Sequence, residues 1–249
     1  MKKRNDLGFY DRSAENWWKP SEKIYALYHL NPTRFTLCDR YISQWEKLNV
    51  LDVGCGGGFT CEFLANRGAF VSGIDQSEKC ITKASEHAIS EGLNIDYKTG
   101  VAESLPYAND TFDVVVCVDV LEHINNLNKT ISEIYRVLKP HGIFFFDTIN
   151  RNLKSRLIMI WLLEDILKEI PPGVHDWNKF IQPKELTHLM ISTGFSDIDI
   201  KGFDLFGTSL VENILSYTRY KTTGNFQGKI SEDTSLMYIG KAVKNLSTI

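Results

Sequence analysis

Short apolar segments alternate with longer amphipathic segments through the middle of the chain. The apolar segments predict β-strands at residues 50–53, 70–74, 95–99, 112–118 and 143–148. The amphipathic segments predict helices at residues 59–67, 77–91 and 127–138. Ser77 is the expected N-cap of the second helix, and Pro140 and Gly142 end the third. Because strands that alternate with helices form parallel βαβ units, the pattern predicts a doubly wound α/β sheet.

The pattern changes on both sides of this core. The first 45 residues are aromatic and predict helices, and a second helical region begins at about residue 150. It includes an expected helix at residues 183–193, and residues 198–203 and 236–243 supply a final pair of strands. The polar segment 222–231 predicts a loop. We therefore expect one domain, 1–249, made of a helical cap (1–45), the core (47–148), a helical insertion (150–195) and C-terminal strands (196–249).

Composition excludes several classes of function. The net charge of -3 gives no electrostatic reason to expect nucleic-acid binding, which usually requires a basic surface. The five cysteines are scattered and contain no CxxC pair, so we expect reduced thiols in a cytoplasmic protein. No apolar run reaches the ~20 residues that a membrane-spanning helix needs, and the basic N-terminus has no apolar stretch behind it.

A glycine-rich loop between the first strand and the first core helix is the clearest local signal. Glycines at Gly54, Gly56 and Gly58 let the chain turn tightly and let a ligand approach the backbone. The spacing differs from the dinucleotide fingerprint G-x-G-x-x-G, because Phe59 stands where its third glycine would be. Asp52, just before the loop, would repel a pyrophosphate but suits a positively charged ligand. A dehydrogenase is therefore disfavoured.

A second acidic residue, Asp75, ends the next predicted strand. A carboxylate at this position can accept hydrogen bonds from both ribose hydroxyls of an adenosine. The alternative is an aspartate that only caps a helix or a turn. The pairing of the loop with Asp75 favours an adenosine ligand that carries a positive charge. A nucleoside-binding module without catalytic activity stays open as an alternative from a different class of function.

With these residues the core resembles the class I S-adenosylmethionine (SAM)-dependent methyltransferases. The resemblance covers residues 47–148, the cofactor-binding core, and includes the Asp113-Val-Val-Val-Cys-Val strand and the Leu138-Lys-Pro-His-Gly turn. It implies a Rossmann-like sheet of seven strands, mostly parallel, with one antiparallel strand near the C-terminal edge.

A narrower resemblance, to the O-methyltransferases of ubiquinone biosynthesis, spans most of the chain. It rests on Trp17-Trp18, Leu30-Asn-Pro-Thr-Arg34, Leu121-Glu-His123, Asn150-Arg-Asn152, Gly173-Val-His-Asp176 and Lys179-Phe-Ile-Gln-Pro183. The resemblance implies a phenolic or catechol-like small-molecule acceptor, such as a lipid-linked quinone precursor. The alternative is a C- or N-methyltransferase that acts on another small metabolite. The sequence leaves the oligomeric state open.

The resemblance also implies roles for individual residues. The expected cofactor-binding residues are Arg34, Asp52, Gly54, Gly56, Asp75, Gln76, Ala102, Glu103 and Val118. The family's acidic patch, a divalent-metal site for Mg²⁺ or another cation, corresponds to Asp119, Glu122 and His123. The chain departs from the family pattern here, because Asp119 is one methylene shorter than the usual glutamate. Val101 replaces an aspartate that holds the adenine amino group in many relatives, so backbone groups are expected to hold the adenine.

Methylation of a phenol requires that its hydroxyl be activated, because a phenol with a pKa of ~10 is a poor nucleophile at neutral pH. His123 or His175 can accept the proton as a general base. Alternatively, a cation bound by the acidic patch can lower the phenol pKa. The competing interpretation is that Glu122 and His123 bind water or begin the next helix, and that His175 lies in a surface turn.

The segment 156–169 is too apolar for a loop and predicts an amphipathic helix. It is expected to pack in the core, to lie on a membrane surface or to line a lipophilic acceptor pocket. Lys154 and Arg156 near its start would favour anionic headgroups. In the second case the protein would be cytoplasmic with peripheral contact at the inner face of the membrane.

Overall fold

A central sheet of eight strands organises the part of the chain that the computed structural model describes, residues 4–205, 209–223 and 228–245. The strands are β1 (Asn49–Val53), β2 (Phe70–Asp75), β3 (Ile95–Thr99), β4 (Phe112–Cys117), β5 (Leu138–Ile149), β6 (Phe195–Asp204), β7 (Lys229–Ser231) and β8 (Met237–Lys244). Their order across the sheet is β3-β2-β1-β4-β5-β8-β6-β7. Strands β1 to β5 pair in parallel, whereas β8 is antiparallel to both β5 and β6. The doubly wound sheet is confirmed.

The described helices cover both faces of this sheet. They are α1 (Gly8–Ser13), α2 (Asn31–Cys38), α3 (Phe59–Ala65), α4 (Glu78–Ser90), α5 (Leu127–Val137), α6 (Leu153–Ser155), α7 (Pro183–Thr193) and α8 (Leu210–Thr223). Short 3₁₀ segments lie at Ala14–Asn16, Lys23–Leu30, Leu121–His123 and Trp177–Lys179. A π-helix, Arg156–Ile166, continues α6 without a break, and we call it the insertion helix.

Alternate residues of the central strands enter two separate cores. Val115 of β4 and Phe144 of β5 pack with residues of α5 and α7 on one face. Val116 and Phe145 pack with residues of α2, α3 and α4 on the other face. Burial on both faces explains why these strands are apolar at almost every position instead of alternating with polar residues.

The candidate site lies where the order of the strands reverses. Strand β1 has β2 on one side and β4 on the other, so the loops that follow β1 and β4 diverge at their carboxyl ends. Open α/β sheets bind ligands at this point. Ser77 lies on one wall of this crevice. Its side chain accepts a hydrogen bond from the backbone N–H of Cys80 and so caps α4 as expected.

The C-terminal part differs from the prediction in two respects. The segment predicted as a loop, 222–231, contains the end of α8, which reaches Thr223, and the whole of β7. Residues 224–227 of that segment lie outside the described residues. Strand β7 is antiparallel to β6 and adds an eighth strand to the seven expected. Its three residues are too few to show an alternating pattern.

The insertion helix packs one side against the fold and leaves the other exposed. Met159, Ile160 and Leu163 are buried in a third apolar cluster, together with residues of α2, β5 and β8. Leu157 and Trp161 are exposed. Within the described ranges, no helix combines the length and the apolar character required to cross a membrane.

Candidate functional site

A cavity of about 540 Å³ opens at the carboxyl ends of β1, β2 and β4. Its walls come from the N-terminal cap, the core and the insertion. All of the predicted site residues line it: Arg34, Asp52, Gly54, Gly56, Asp75, Gln76, Ala102, Glu103, Val118, Asp119, Glu122, His123 and His175. The fold therefore brings together residues that are widely separated along the chain.

The glycine loop and Asp75 form one connected unit. The backbone N–H of Gly54 donates to the carbonyl of Ile74 (2.8 Å). The N–H of Gly56 donates to Asp75 Oδ2 (2.9 Å), and the N–H of Ser77 donates to Asp75 Oδ1 (2.8 Å). Burial raises the pKa of Asp75, although these two bonds oppose the shift. Because each carboxylate oxygen can accept a further bond, the side chain can still receive two hydroxyls from a ligand.

Two glycines of the loop are required by close contact with side chains. Gly54 has a φ of +78°, and a Cβ atom there would lie 2.4 Å from a methyl carbon of Val120. A Cβ on Gly57 would lie 2.3 Å from the ring of Trp17. The indole of Trp17 therefore covers the loop directly, which sequence reasoning missed. The Trp17-Trp18 pair carried part of the family resemblance, but no local pattern placed either ring in the site.

Asp52 lies almost completely buried at the end of β1 and lines the cavity. Burial raises its pKa to about 7, and a bond from the Cys61 thiol to Asp52 Oδ2 (3.3 Å) only partly offsets the effect. A positive charge on a bound ligand would favour the ionised form of this carboxylate.

Arg34 lines the cavity and is held between two carboxylates. Its Nε donates to Asp147 Oδ2 (2.5 Å), and its Nη2 forms a short ion pair with Asp119. Asp147 Oδ1 also accepts the backbone N–H of Asp119 (2.7 Å), at a position where φ is +57°. The carboxylate of Asp119 is therefore committed to Arg34 instead of facing the other expected metal ligands.

The two candidate bases, His123 and His175, are buried and stacked, with ring centroids 5.3 Å apart. His123 Nδ1 faces Asn5 Oδ1 (2.8 Å), and His123 Nε2 faces the hydroxyl of Tyr10 (3.2 Å). Burial lowers the pKa of His123 well below its usual range, and the electrostatic effect of the neighbouring His175 and Lys179 lowers it further. His123 is therefore a neutral imidazole with both ring nitrogens occupied.

His175 differs because only one of its ring nitrogens is occupied. Its Nδ1 lies 2.7 Å from Glu164 Oε1, on the insertion helix. Its Nε2 has no hydrogen-bond partner among residues 4–205, 209–223 and 228–245. The surface-turn interpretation is wrong, because the residue is buried and lines the cavity.

The predicted metal set does not converge as expected. Glu122, His123 and His175 have potential ligand atoms within 4.8 Å of one another, and Asp119 is absent from this group. Burial and the charge of Asp119 raise the pKa of Glu122 to about 8, and its Oε2 accepts the hydroxyl of Thr148 (2.7 Å). A cation would also have to displace Tyr10 or Asn5 from His123. These residues fit a hydrogen-bonded network better than a divalent-metal centre.

Other contributors to the site left no signal in the sequence pattern. Asn5 and Tyr10 reach His123 from the N-terminal cap, and Glu164 reaches His175 from the insertion helix. These contacts join residues more than a hundred positions apart or cross an irregular loop, so neither periodicity nor spacing could reveal them.

Comparison with known proteins agrees with the geometry. A family model described as a methyltransferase domain matches residues 51–146. The ubiquinone biosynthesis O-methyltransferase of Saccharophagus degradans is 40% identical over 190 residues, which cover 76% of this chain and 80% of that protein. The enzyme of the same name from Coxiella burnetii is 39% identical over 199 residues, covering 80% of this chain and 85% of that one.

Solved structures show the same fold at lower identity. A SAM-dependent methyltransferase of Thermotoga maritima, described as a possible histamine N-methyltransferase, superposes with a TM-score of 0.65 at 16% identity and covers 96% of this chain and 99% of that one. A SAM-dependent methyltransferase of Aquifex aeolicus gives a TM-score of 0.62 at 16% identity, covering 94% and 97%. The curated relatives and the family model establish that the chain is a SAM-dependent methyltransferase and belongs to the ubiquinone biosynthesis O-methyltransferase family.

Proposed function

We propose that this enzyme transfers the methyl group of SAM to a hydroxyl of a phenolic or catechol-like acceptor, such as a lipid-linked quinone precursor. The observation that carries the proposal is His175, a buried imidazole with an unoccupied ring nitrogen on the wall of the cavity. A base at this position is what a phenol acceptor requires. The names of the curated relatives support the same chemistry.

The cofactor site would use the two acidic residues at different ends of SAM. Asp75 would accept the ribose hydroxyls, and Asp52 would face the positively charged amino-acid end. Arg34 would pair with the cofactor carboxylate. The backbone of Gly54 and Gly56 would allow close approach, while Gln76, Ala102, Glu103 and Val118 would form the adenine side.

SAM supplies a methyl group activated by a sulfonium, and the protein supplies orientation and a place for the proton. His175 Nε2 would accept the phenol proton as the oxygen–methyl bond forms and the sulfur–methyl bond breaks. The electron pair of the broken bond stays on sulfur, which becomes neutral. Tyr10 and Trp17 would exclude water from above the loop, since both line the cavity.

The acceptor side of the cavity is apolar. Leu27, Leu30, Ile149, Met159 and Leu163 contribute to its lining. Such walls suit an aromatic ring that carries a hydrocarbon substituent. The outer side of the insertion helix would meet the membrane from which such an acceptor comes.

The function is tested by a methyl-transfer assay on catechols and quinols, with and without chelator. We expect O-methylated product, and we expect kcat to change by less than about twofold after chelation, because base catalysis by His175 needs no cation. Mass spectrometry of the product would identify the methylated atom. Exclusive methylation of carbon or nitrogen would overturn the proposed acceptor class, and loss of activity restored by Mg²⁺ would overturn the metal-free mechanism.

Replacement of Asp75 tests the ribose contact. We expect Asp75→Ala to weaken SAM binding by more than about tenfold, because two charge-assisted hydrogen bonds are lost. Isothermal titration calorimetry measures the change. Asp96→Ala is the matched control, since Asp96 is an exposed carboxylate on neighbouring β3 and should leave the dissociation constant unchanged. An unchanged constant in Asp75→Ala would contradict this site.

The raised pKa of Asp52 predicts that the affinity for SAM depends on pH. A cationic ligand binds the ionised carboxylate, whose pKa burial raises to about 7. Affinity should therefore increase as pH rises from 6 to 8, by a factor approaching about ten for one required ionisation. Calorimetry across this range measures the slope. Asp52→Asn should flatten it, and the same slope in both proteins would exclude Asp52 as its origin.

Membrane contact is tested by flotation with liposomes that contain anionic lipid. Lys154 already contacts Asp233, and Arg156 lies over the ring of Trp177, so the exposed apolar side must provide most of the attraction. Trp161→Asp should lower recovery with the liposomes at least about threefold, because it removes a large exposed apolar side chain.

Ile191→Asp provides the control for this experiment. Ile191 is equally exposed but lies on α7, which packs with α5 and β6, so its replacement should leave flotation unchanged. Negligible flotation of the wild-type protein, or equal flotation of wild type and Trp161→Asp, would reject the membrane contact.

A further inference from the structure

Glu164 is an unusual residue for its position in the fold. It lies on the insertion helix among apolar side chains, and its side chain is completely buried. An ionised carboxylate without partners would be strongly destabilising at such a site. The residue is therefore tolerated only because the surrounding groups satisfy it.

Four donors surround this carboxylate. Glu164 Oε1 faces His175 Nδ1 (2.7 Å) and accepts the backbone N–H of His175 (3.0 Å). Glu164 Oε2 accepts the backbone N–H of Gly173 (2.9 Å) and pairs with Arg4 Nη1 (3.2 Å). The backbone bonds anchor the loop before His175, and the Arg4 guanidinium provides a compensating charge. The contact with His175 Nδ1 goes beyond anchoring, because it acts on the imidazole ring itself.

A carboxylate beside Nδ1 determines the state of a histidine ring. It requires a proton on Nδ1, which in the neutral ring leaves the lone pair on Nε2. It also prevents the ring from rotating about its Cβ–Cγ bond. The flat contact with His123, at an interplanar angle of 17°, and the edge contact with Phe180 further restrict the ring.

The neighbouring ring, His123, cannot accept a proton from a ligand in the same way, because other residues occupy both of its nitrogens. Asn5 Oδ1 faces Nδ1, so the lone pair of His123 is on Nε2, where it accepts the hydroxyl of Tyr10. Burial raises the pKa of Tyr10 and keeps that hydroxyl protonated. Of the two stacked rings, only His175 has a lone pair available to a ligand.

We propose that Glu164 is a positioning residue that holds His175 in the Nδ1–H tautomer, with Nε2 directed to the acceptor hydroxyl. The proposal rests on the proposed function of His175 as the base. Glu164 does not itself touch the acceptor. Because Glu164 belongs to the insertion helix, the orientation of the base depends on how that helix is seated.

The orientation can be measured without any substrate. In protein labelled with ¹⁵N-histidine, long-range ¹H–¹⁵N spectra distinguish the two tautomers, and the spectrum of His175→Ala identifies the signals of His175. We expect the Nδ1–H tautomer in the wild type and a shift toward the Nε2–H form in Glu164→Ala. An Nε2–H tautomer in the wild type, or an unchanged tautomer in Glu164→Ala, would overturn the proposal.

Kinetics of a double-mutant cycle separate positioning from stability. We expect Glu164→Ala to lower kcat for a catechol by about 10²-fold, the usual contribution of a general base, while SAM affinity changes less than about twofold. Glu164→Ala combined with His175→Ala should be no slower than His175→Ala alone, within about twofold. Independent losses that multiply in the double variant would show that Glu164 does not act through His175.

Two further variants keep the test interpretable if Glu164→Ala folds poorly. Glu164→Gln retains an oxygen that can accept from Nδ1–H, so it should recover part of the lost kcat; a loss as large as that of Glu164→Ala would contradict the proposal. Asp165→Asn removes the other ion pair of Arg4 but leaves His175 untouched, and it should retain kcat within about twofold. If the Nδ1–H tautomer is found but no phenol is methylated, the proposed function fails, whereas the control of the His175 tautomer by Glu164 stands.

Discussion

Burial of negative charge at the carboxyl edge of the sheet governs this structure. Asp52, Asp75, Glu122 and Asp147 all lie in or beside the cavity, where desolvation raises the pKa of each. Only Arg34 offers a buried guanidinium to this group among the described residues. A cationic ligand would favour the ionised form of these carboxyl groups, so the cavity suits such a ligand. This property agrees with a sulfonium cofactor and explains why a pyrophosphate would be unfavourable there.

The core could be predicted from the sequence because its signals are local. Strands buried on both faces have continuous apolar segments, Ser77 caps a helix as its position indicates, and the glycine loop follows β1 directly. Helix α8 and strand β7 were missed for physical reasons. An exposed helix such as α8 gains little from a buried apolar side, and a three-residue edge strand is determined by its partner β6.

The metal set shows what resemblance alone leaves open. Asp119 has the right chemical type for a ligand, but its carboxylate pairs with Arg34, which lies 85 positions earlier in the chain. Asp147 reinforces that arrangement, because it accepts hydrogen bonds from the Arg34 side chain and from the backbone N–H of Asp119. Whether an acid binds a cation therefore depends on which other charges the fold brings beside it, and a local motif does not contain that information. His175 lies close to Glu122 and His123, and no pattern in the sequence indicated that proximity.

The two sides of the insertion helix connect the surface with the chemistry. Trp161 and Leu157 are exposed on one side, while Leu163 and Glu164 on the other line the cavity or contact His175. A helix is stiff over such a short length, so a displacement of its exposed side must also move Glu164. Because Glu164 contacts His175 Nδ1, a surface that displaced the helix would also act on the proposed base. Under the proposed function, access of a lipophilic acceptor and activation of its hydroxyl would thus be properties of one structural element.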